Sequence, residues 1–168
     1  MPTVPFTEDF QFPGHGKTIC FDAKSYMAWI YQTMPFLRQI PITDLQATPP
    51  SDTIKLGDYI FQFARFPQKE SDGTPTRLRL FGEDGTGFCC FDGDVAVPMI
   101  FEPDPDEGRW KTWMSLTPNE IMTCNPGVEA ATGRVLVGGC GLGWMAQKIA
   151  QKPNVTAVTV VDIMWRLS

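Results

Sequence analysis

The period of apolar and polar positions changes along the chain, and each change predicts an element. Residues 1–20 are rich in Pro, Phe and Gly without a clean period and read as an irregular arm. Asp22 then has the character of an N-cap. Behind it Tyr26, Trp29, Ile30 and Thr33 fall at i, i+3, i+4 and i+7, which predicts a short helix ending near Pro35. Residues 40–52 carry Pro41, Pro49 and Pro50 and read as a connecting loop. From Ile54 the period falls to two: Phe61 and Phe63 share one strand face, Gln62 and Ala64 the other. Leu78 and Leu80 alternate with Arg77 and Arg79, predicting a half-buried strand. Residues 71–75 and 83–85 are turn-forming, and Phe88 opens a third strand. Asp92-Gly93 is the dipeptide favoured in tight hairpins and is expected to join that strand to the apolar run 95–101. Residues 54–101 therefore read as an antiparallel meander.

Residues 102–108 alternate prolines with Glu102, Asp104, Asp106 and Glu107. They read as a solvated acidic linker, because they lack the Asn and Gly ligand spacing of a cation loop. A boundary here gives two regions: a β-rich region with a short helix and this linker, 1–108, and a second region, 109–168. In the second, Thr117, Pro118 and Glu120 have the spacing of a hydroxyl N-cap, an N1 proline and a capping box. Pro126 and Gly127 predict that this helix is short.

The last third of the chain carries the candidate chemistry. Arg134-Val135-Leu136-Val137 is the apolar run of a buried parallel strand, and it enters Gly138-Gly139-Cys140-Gly141-Leu142-Gly143 directly. A helical stretch follows, with Met145, Ile149 and Ala146 inward and Gln147, Lys148 and Gln151 outward. Pro153-Asn154 ends it, and residues 155–161 form a second apolar strand that closes on Asp162. Glycines let a chain leaving a parallel strand turn sharply and let a ligand approach closely. An acid at the tip of the neighbouring strand can accept both hydroxyls of a ribose, and Asp162 follows Gly143 by 19 residues, close to the roughly 20 expected for that role. The dinucleotide fingerprint requires a third glycine where Trp144 stands, so an NAD-type loop fits poorly.

Gly139-x-Gly141-x-Gly143, followed by Val158-Thr159-Val160-Val161-Asp162, resembles the first two motifs of the class I S-adenosylmethionine-dependent methyltransferases. The stretch 113–120 adds a resemblance to their spermidine-synthase-like branch, whose members place a β-rich region before the nucleotide-binding fold. The resemblance covers about the last third of the chain. It departs at Val137, where the family carries an acid, and at Gly138, where it carries an apolar residue. It implies an S-adenosylmethionine cofactor held by Gly139, Gly141 and Gly143, with Asp162 on the ribose. The implied activity is that of a methyltransferase or an aminopropyltransferase, and the acceptor is unspecified.

The resulting expectation is an α+β chain: a β meander with a short helix, then a partial Rossmann-like β-α-β unit. That fold has later strands and catalytic motifs, and the chain ends six residues after Asp162. This chain alone is therefore expected to be inactive, and to be completed by a missing C-terminal half or by a homo-oligomer that covers the open sheet edges. The alternative is a non-catalytic scaffold or oligomerisation module that retains a vestigial nucleotide-binding unit.

Composition narrows the partners. Fourteen Lys and Arg against nineteen Asp and Glu give a net charge of −5, so nucleic acid is not an expected partner. No apolar run reaches the length of a membrane span, and the first twelve residues lack a signal-peptide pattern. Five cysteines without a Cys-x-x-Cys pair favour reduced thiols and a cytoplasmic setting. A single histidine, His15, leaves zinc sites and Ser-His-Asp chemistry poorly supplied. Gly14-His15-Gly16-Lys17-Thr18 ends like a phosphate loop but has Gln11 where the first glycine belongs, so it reads as an ordinary polar loop. Cys140 reads as a small packing residue, Cys89 and Cys90 as strand neighbours on opposite faces, and Trp110, Trp113, Trp144 and Trp165 as packing residues.

Overall fold

The computed structural model describes residues 2–44 and 53–162. The chain runs through β1 (Thr3–Val4), β2 (Thr18–Phe21), α1 (Ala23–Thr33), a 3-10 turn (Pro35–Gln39), β3 (Ile42–Asp44), β4 (Ile54–Leu56), β5 (Tyr59–Phe66), β6 (Leu78–Gly82) and β7 (Gly85–Phe91). It continues with β8 (Val95–Asp104), β9 (Arg109–Ser115), α2 (Pro118–Ala130), β10 (Gly133–Gly138), α3 (Trp144–Ala150) and β11 (Val155–Val161). Residues 45–52 of the expected connecting loop, and Trp165, lie outside the described residues.

The mixed α+β composition holds, but the expected single meander does not. The strands divide between a four-stranded sheet, β1-β2-β7-β6, and a five-stranded sheet in which β3 and β4 share one edge of β5, followed by β8 and β9. β7 and β8 are not paired, so Asp92-Gly93 is a corner between sheets rather than a hairpin turn. Gly93 is not among the glycines with positive φ, which a tight hairpin would need. Asp92 is held by other work: its carboxylate accepts the Ala23 N–H at 2.8 Å, and its carbonyl accepts Gln68 Nε2 at 2.8 Å. The arm is also more ordered than its composition predicts, since β1 and β2 pair in parallel and Phe6 is buried against Phe21 and Tyr26.

α1 forms as its spacing predicts. Asp22 accepts the N–H groups of Lys24 and Ser25, a cap that contributes about 1 kcal/mol. Ala23, Tyr26 and Ile30 face inward. One continuous core joins Phe6, Phe21, Tyr26 and Ile30 to Phe63, Val97, Leu116, Ile121 and Trp144. Tyr26 is fully buried, its hydroxyl donates to the Leu116 carbonyl at 2.8 Å, and burial pushes its phenol well above the ordinary value. That bond ties α1 to the residue just before the α2 N-cap. Gln62, on the face of β5 opposite Phe61 and Phe63, is buried as well, and its Nε2 donates to Thr43 Oγ1 and the Asp44 carbonyl.

The acidic segment read as a linker is a β-hairpin. Glu102, Pro103 and Asp104 pair with Lys111, Trp110 and Arg109, and residues 105–108 turn between them. The Lys111 ammonium meets Glu102 at 3.1 Å, and Asp104 accepts the Asp106 and Glu107 N–H groups. Position 108/109 is where that turn meets β9. α2 also departs from expectation by running through Pro126 and Gly127 for 13 residues. An internal proline costs about 3 kcal/mol of helix stability. The helix is held around it by Asn125, which donates to the Glu8 carbonyl at 2.7 Å, and by Lys152, whose ammonium donates to the last-turn carbonyls of Val128 and Glu129. Gly127 lets α3 pack close, since a Cβ there would press on the Met145 methyl.

β10, α3 and β11 form a parallel strand–helix–strand unit, with Val135 opposite Val158 and Val137 opposite Val160. Val135, Val137, Val155 and Val158 pack with Ile149 and Met145 on the helix side. The other face is open: Leu136 is 70% exposed and Val161 55%. No described helix is long and apolar enough to cross a membrane.

Candidate functional site

The loop after β10 is bent by three glycines in the left-handed region: Gly139 at φ 85°, Gly141 at φ 52° and Gly143 at φ 78°. A side chain at any of them would be strained. Its backbone is tied at each end. The Gly139 N–H donates to the Val161 carbonyl at 2.7 Å, extending the β10–β11 ladder by one rung. The Gly143 N–H donates to the Cys140 carbonyl at 2.8 Å and closes the turn before α3.

Because β11 runs parallel to β10 and ends level with it, Asp162 arrives at the bend. Its Oδ2 accepts the Cys140 N–H. The four residues singled out from the sequence, Gly139, Gly141, Gly143 and Asp162, are thus brought together, and the aspartate also fixes the loop it borders. Cys140, expected to be a small packing residue, is exposed, because its backbone rather than its side chain carries the contact.

Two residues of β9 complete the surroundings. The β8–β9 ladder shifts register between Ile100, opposite Met114, and Phe101, opposite Thr112, so Trp113 is the extra residue of a bulge. The bulge presents Trp113, 43% exposed and edge-on to Tyr59, beside the loop. Met114 lies over Gly141: its sulfur accepts the Leu142 N–H at 3.1 Å, and a Cβ on Gly141 would overlap its Sδ and Cε. Gly139 and Gly143 face open space. Glycine at 141 is therefore required twice, by its φ and by this close approach.

Two cavities meet at Met114. The outer one, about 740 Å³, is bounded by Trp113, Leu136, Gly138, Gly139, Gly141, Val161 and Asp162, while Gly143 borders only the inner one. The inner one, about 190 Å³, lies behind the loop and is bounded by Leu116, Glu120, Cys124, Val137, Trp144 and Met145. Thr117 caps α2 as expected by accepting the Glu120 N–H at 3.4 Å. The Glu120 carboxylate accepts the Cys124 thiol at 3.8 Å. Burial raises the Glu120 pKa, a shift the Cys124 hydrogen bond partly opposes. The Cys124 thiol is pushed up by burial and then by the Glu120 charge. Trp144 is 3% exposed, and its indole N–H has no partner.

Sequence reasoning did not assign Met114, Trp113, Glu120 or Cys124 to the site. A signal for the strand that carries the first two lay in the paired acid and base at Glu102 and Lys111, which mark opposite strands of a hairpin; Pro103 and Pro105 obscured it. The phosphate-loop-like segment 14–18 uses its backbone inside the fold: Gly16 donates to Thr86 and Lys17 to Gly14. Among the described residues no cluster of three or more His, Cys, Asp or Glu could hold a metal ion. Comparisons with protein-family models, with curated proteins and with solved structures find no significant match to this chain.

Proposed function

We propose that the chain binds an adenosyl ligand of the S-adenosylmethionine class, as a methyltransferase-like or aminopropyltransferase-like protein built on a Rossmann-like unit. The observation that carries this reading is the juxtaposition of Asp162 with a loop of three left-handed glycines at the ends of two parallel strands. The outer cavity suits the nucleoside part. Asp162 offers carboxylate oxygen to ribose hydroxyls, Gly138 and Gly139 face open space and admit close approach, and Trp113 and Leu136 offer apolar surface to a base. When bound, S-adenosylmethionine supplies a sulfonium methyl group that a nucleophile takes while the bonding pair stays on sulfur. Asp162 is the only ionisable side chain among the described residues lining the outer cavity, and it is engaged with the Cys140 N–H. Binding without turnover is therefore the expected behaviour of this chain.

Calorimetric titration with S-adenosylhomocysteine tests the reading. Binding is expected for the wild-type chain, with a loss of tenfold or more, about 1.4 kcal/mol, in Asp162→Ala. Asp162→Asn, which keeps an acceptor for the Cys140 N–H, separates loss of ligand contact from loss of loop order. Absence of heat at millimolar ligand with folded protein would reject the reading.

A second reading has its own observation. Leu136, Val161 and Trp113 form an exposed apolar face on β10–β11 and the adjoining bulge, as a scaffold or self-associating module would present. Light scattering that gives a monomer at every concentration would count against it.

A further inference from the structure

We propose that Met114 sets the ligand selectivity of this site by dividing it, so that nucleosides enter freely and adenosyl amino acids bind only by displacing the Met114 side chain. The inference rests on the adenosyl-binding reading above. The outer and inner cavities share Met114, Gly138, Gly139 and Gly141 as their common wall. Of these, only Met114 has a side chain to move. Its sulfur occupies the concave side of the loop and takes up the Leu142 N–H, which a bound ligand would otherwise find unpaired. A thioether is a weak acceptor on a side chain with three rotatable bonds, so this occupant is held by a contact that a stronger ligand group can replace.

The inner cavity is equipped for what lies beyond the divider. Glu120 offers a carboxylate to an ammonium, while Trp144 lines the same space and holds a buried indole N–H with no partner. Those are the complements of the two charged ends of an α-amino acid. A nucleoside has neither end and needs only the outer cavity beside Asp162 and Trp113. The bulge at Trp113 is what aims Met114 inward, since it shifts the register between Ile100 and Phe101 next to this residue. A closed majority state lowers apparent affinity by the fraction of molecules that are open, and this reduction falls on the tailed ligand alone.

The test compares adenosine with S-adenosylhomocysteine on three chains. Met114→Ala is expected to raise the ratio of S-adenosylhomocysteine affinity to adenosine affinity about 3–10-fold over wild type. Met114→Leu, which keeps the bulk, is expected to bind the tailed ligand no more tightly than wild type. If Met114→Ala changes both affinities alike, Met114 divides nothing and the proposal fails while the adenosyl reading stands. If neither ligand binds any of the chains, both fail. Should Met114→Ala not fold, the wild-type chain labelled with ¹³C at its methionine methyls gives the answer. S-adenosylhomocysteine is expected to shift the Met114 signal well beyond the change that adenosine causes in the outer cavity Met114 borders; equal shifts with both ligands, or none with either although both bind, overturn the proposal.

Discussion

The two strands that bear most on this protein's architecture, β5 and β10, are both largely apolar and opposite in setting. β5 is buried on both faces, from Ile60 to Ala64, between β8 on one edge and β3 and β4 on the other. β10 is apolar as well, yet it pairs only with β11 and leaves Leu136 exposed while Val137 is buried. An apolar run therefore records that a strand was shaped for burial, without recording which of its faces this chain covers. The candidate site lies where the two settings meet, with β9 contributing from the five-stranded sheet and the glycine loop from the parallel pair.

The comparison can be broken first at Phe63, which is 1% exposed and stands edge-on to Tyr31. Phe63→Ala is expected to cost about 3–5 kcal/mol in urea unfolding. A loss under about 1 kcal/mol would mean that the β5 core is far looser than its burial implies.

A smaller effect is expected at the seam. Burial raises the Glu120 pKa, so this carboxyl favours the folded chain fully below its ordinary value of 4.5. That contribution is lost as pH rises past 4.5 and through the raised folded value. Glu120→Gln removes the dependence, and its stability relative to wild type should improve across that rise. A difference between the two chains that does not vary with pH would show that Glu120 is solvated like a surface acid.

The smallest effect is expected at Leu136. Leu136→Ser on the open face should change stability by no more than about 0.5 kcal/mol. A loss of several kcal/mol would mean that another surface covers this face.

Local signals were legible where one side chain decides the outcome. Asp22 and Thr117 cap the helices they were expected to open, because a capping side chain bonds only to the N–H groups two and three residues ahead. The order strand, glycine turn, helix, strand, aspartate was legible because parallel connectivity leaves a chain few ways to run. What stayed hidden depends on partners distant in sequence. The strand-forming runs of β6, β7 and β8 are the same whether they form one sheet or two, and Asp92-Gly93 became a corner because α1 and Gln68 claim Asp92. Pro126 reads as a helix end until Asn125 and Lys152 are seen to hold the helix from other elements. Met114 could not be assigned to the loop because a bulge, which has no local signature here, aims it.

The central claim is that the bend and its aspartate form one ligand-binding unit, and amide NMR tests it most directly. In the ¹⁵N-labelled chain titrated with S-adenosylhomocysteine, the amides of Gly139, Cys140, Gly141 and Asp162 are expected to shift together along one saturable curve. Those of β5 should stay in place. Shifts confined to residues away from the loop, or no shift in a folded chain at millimolar ligand, would contradict the account.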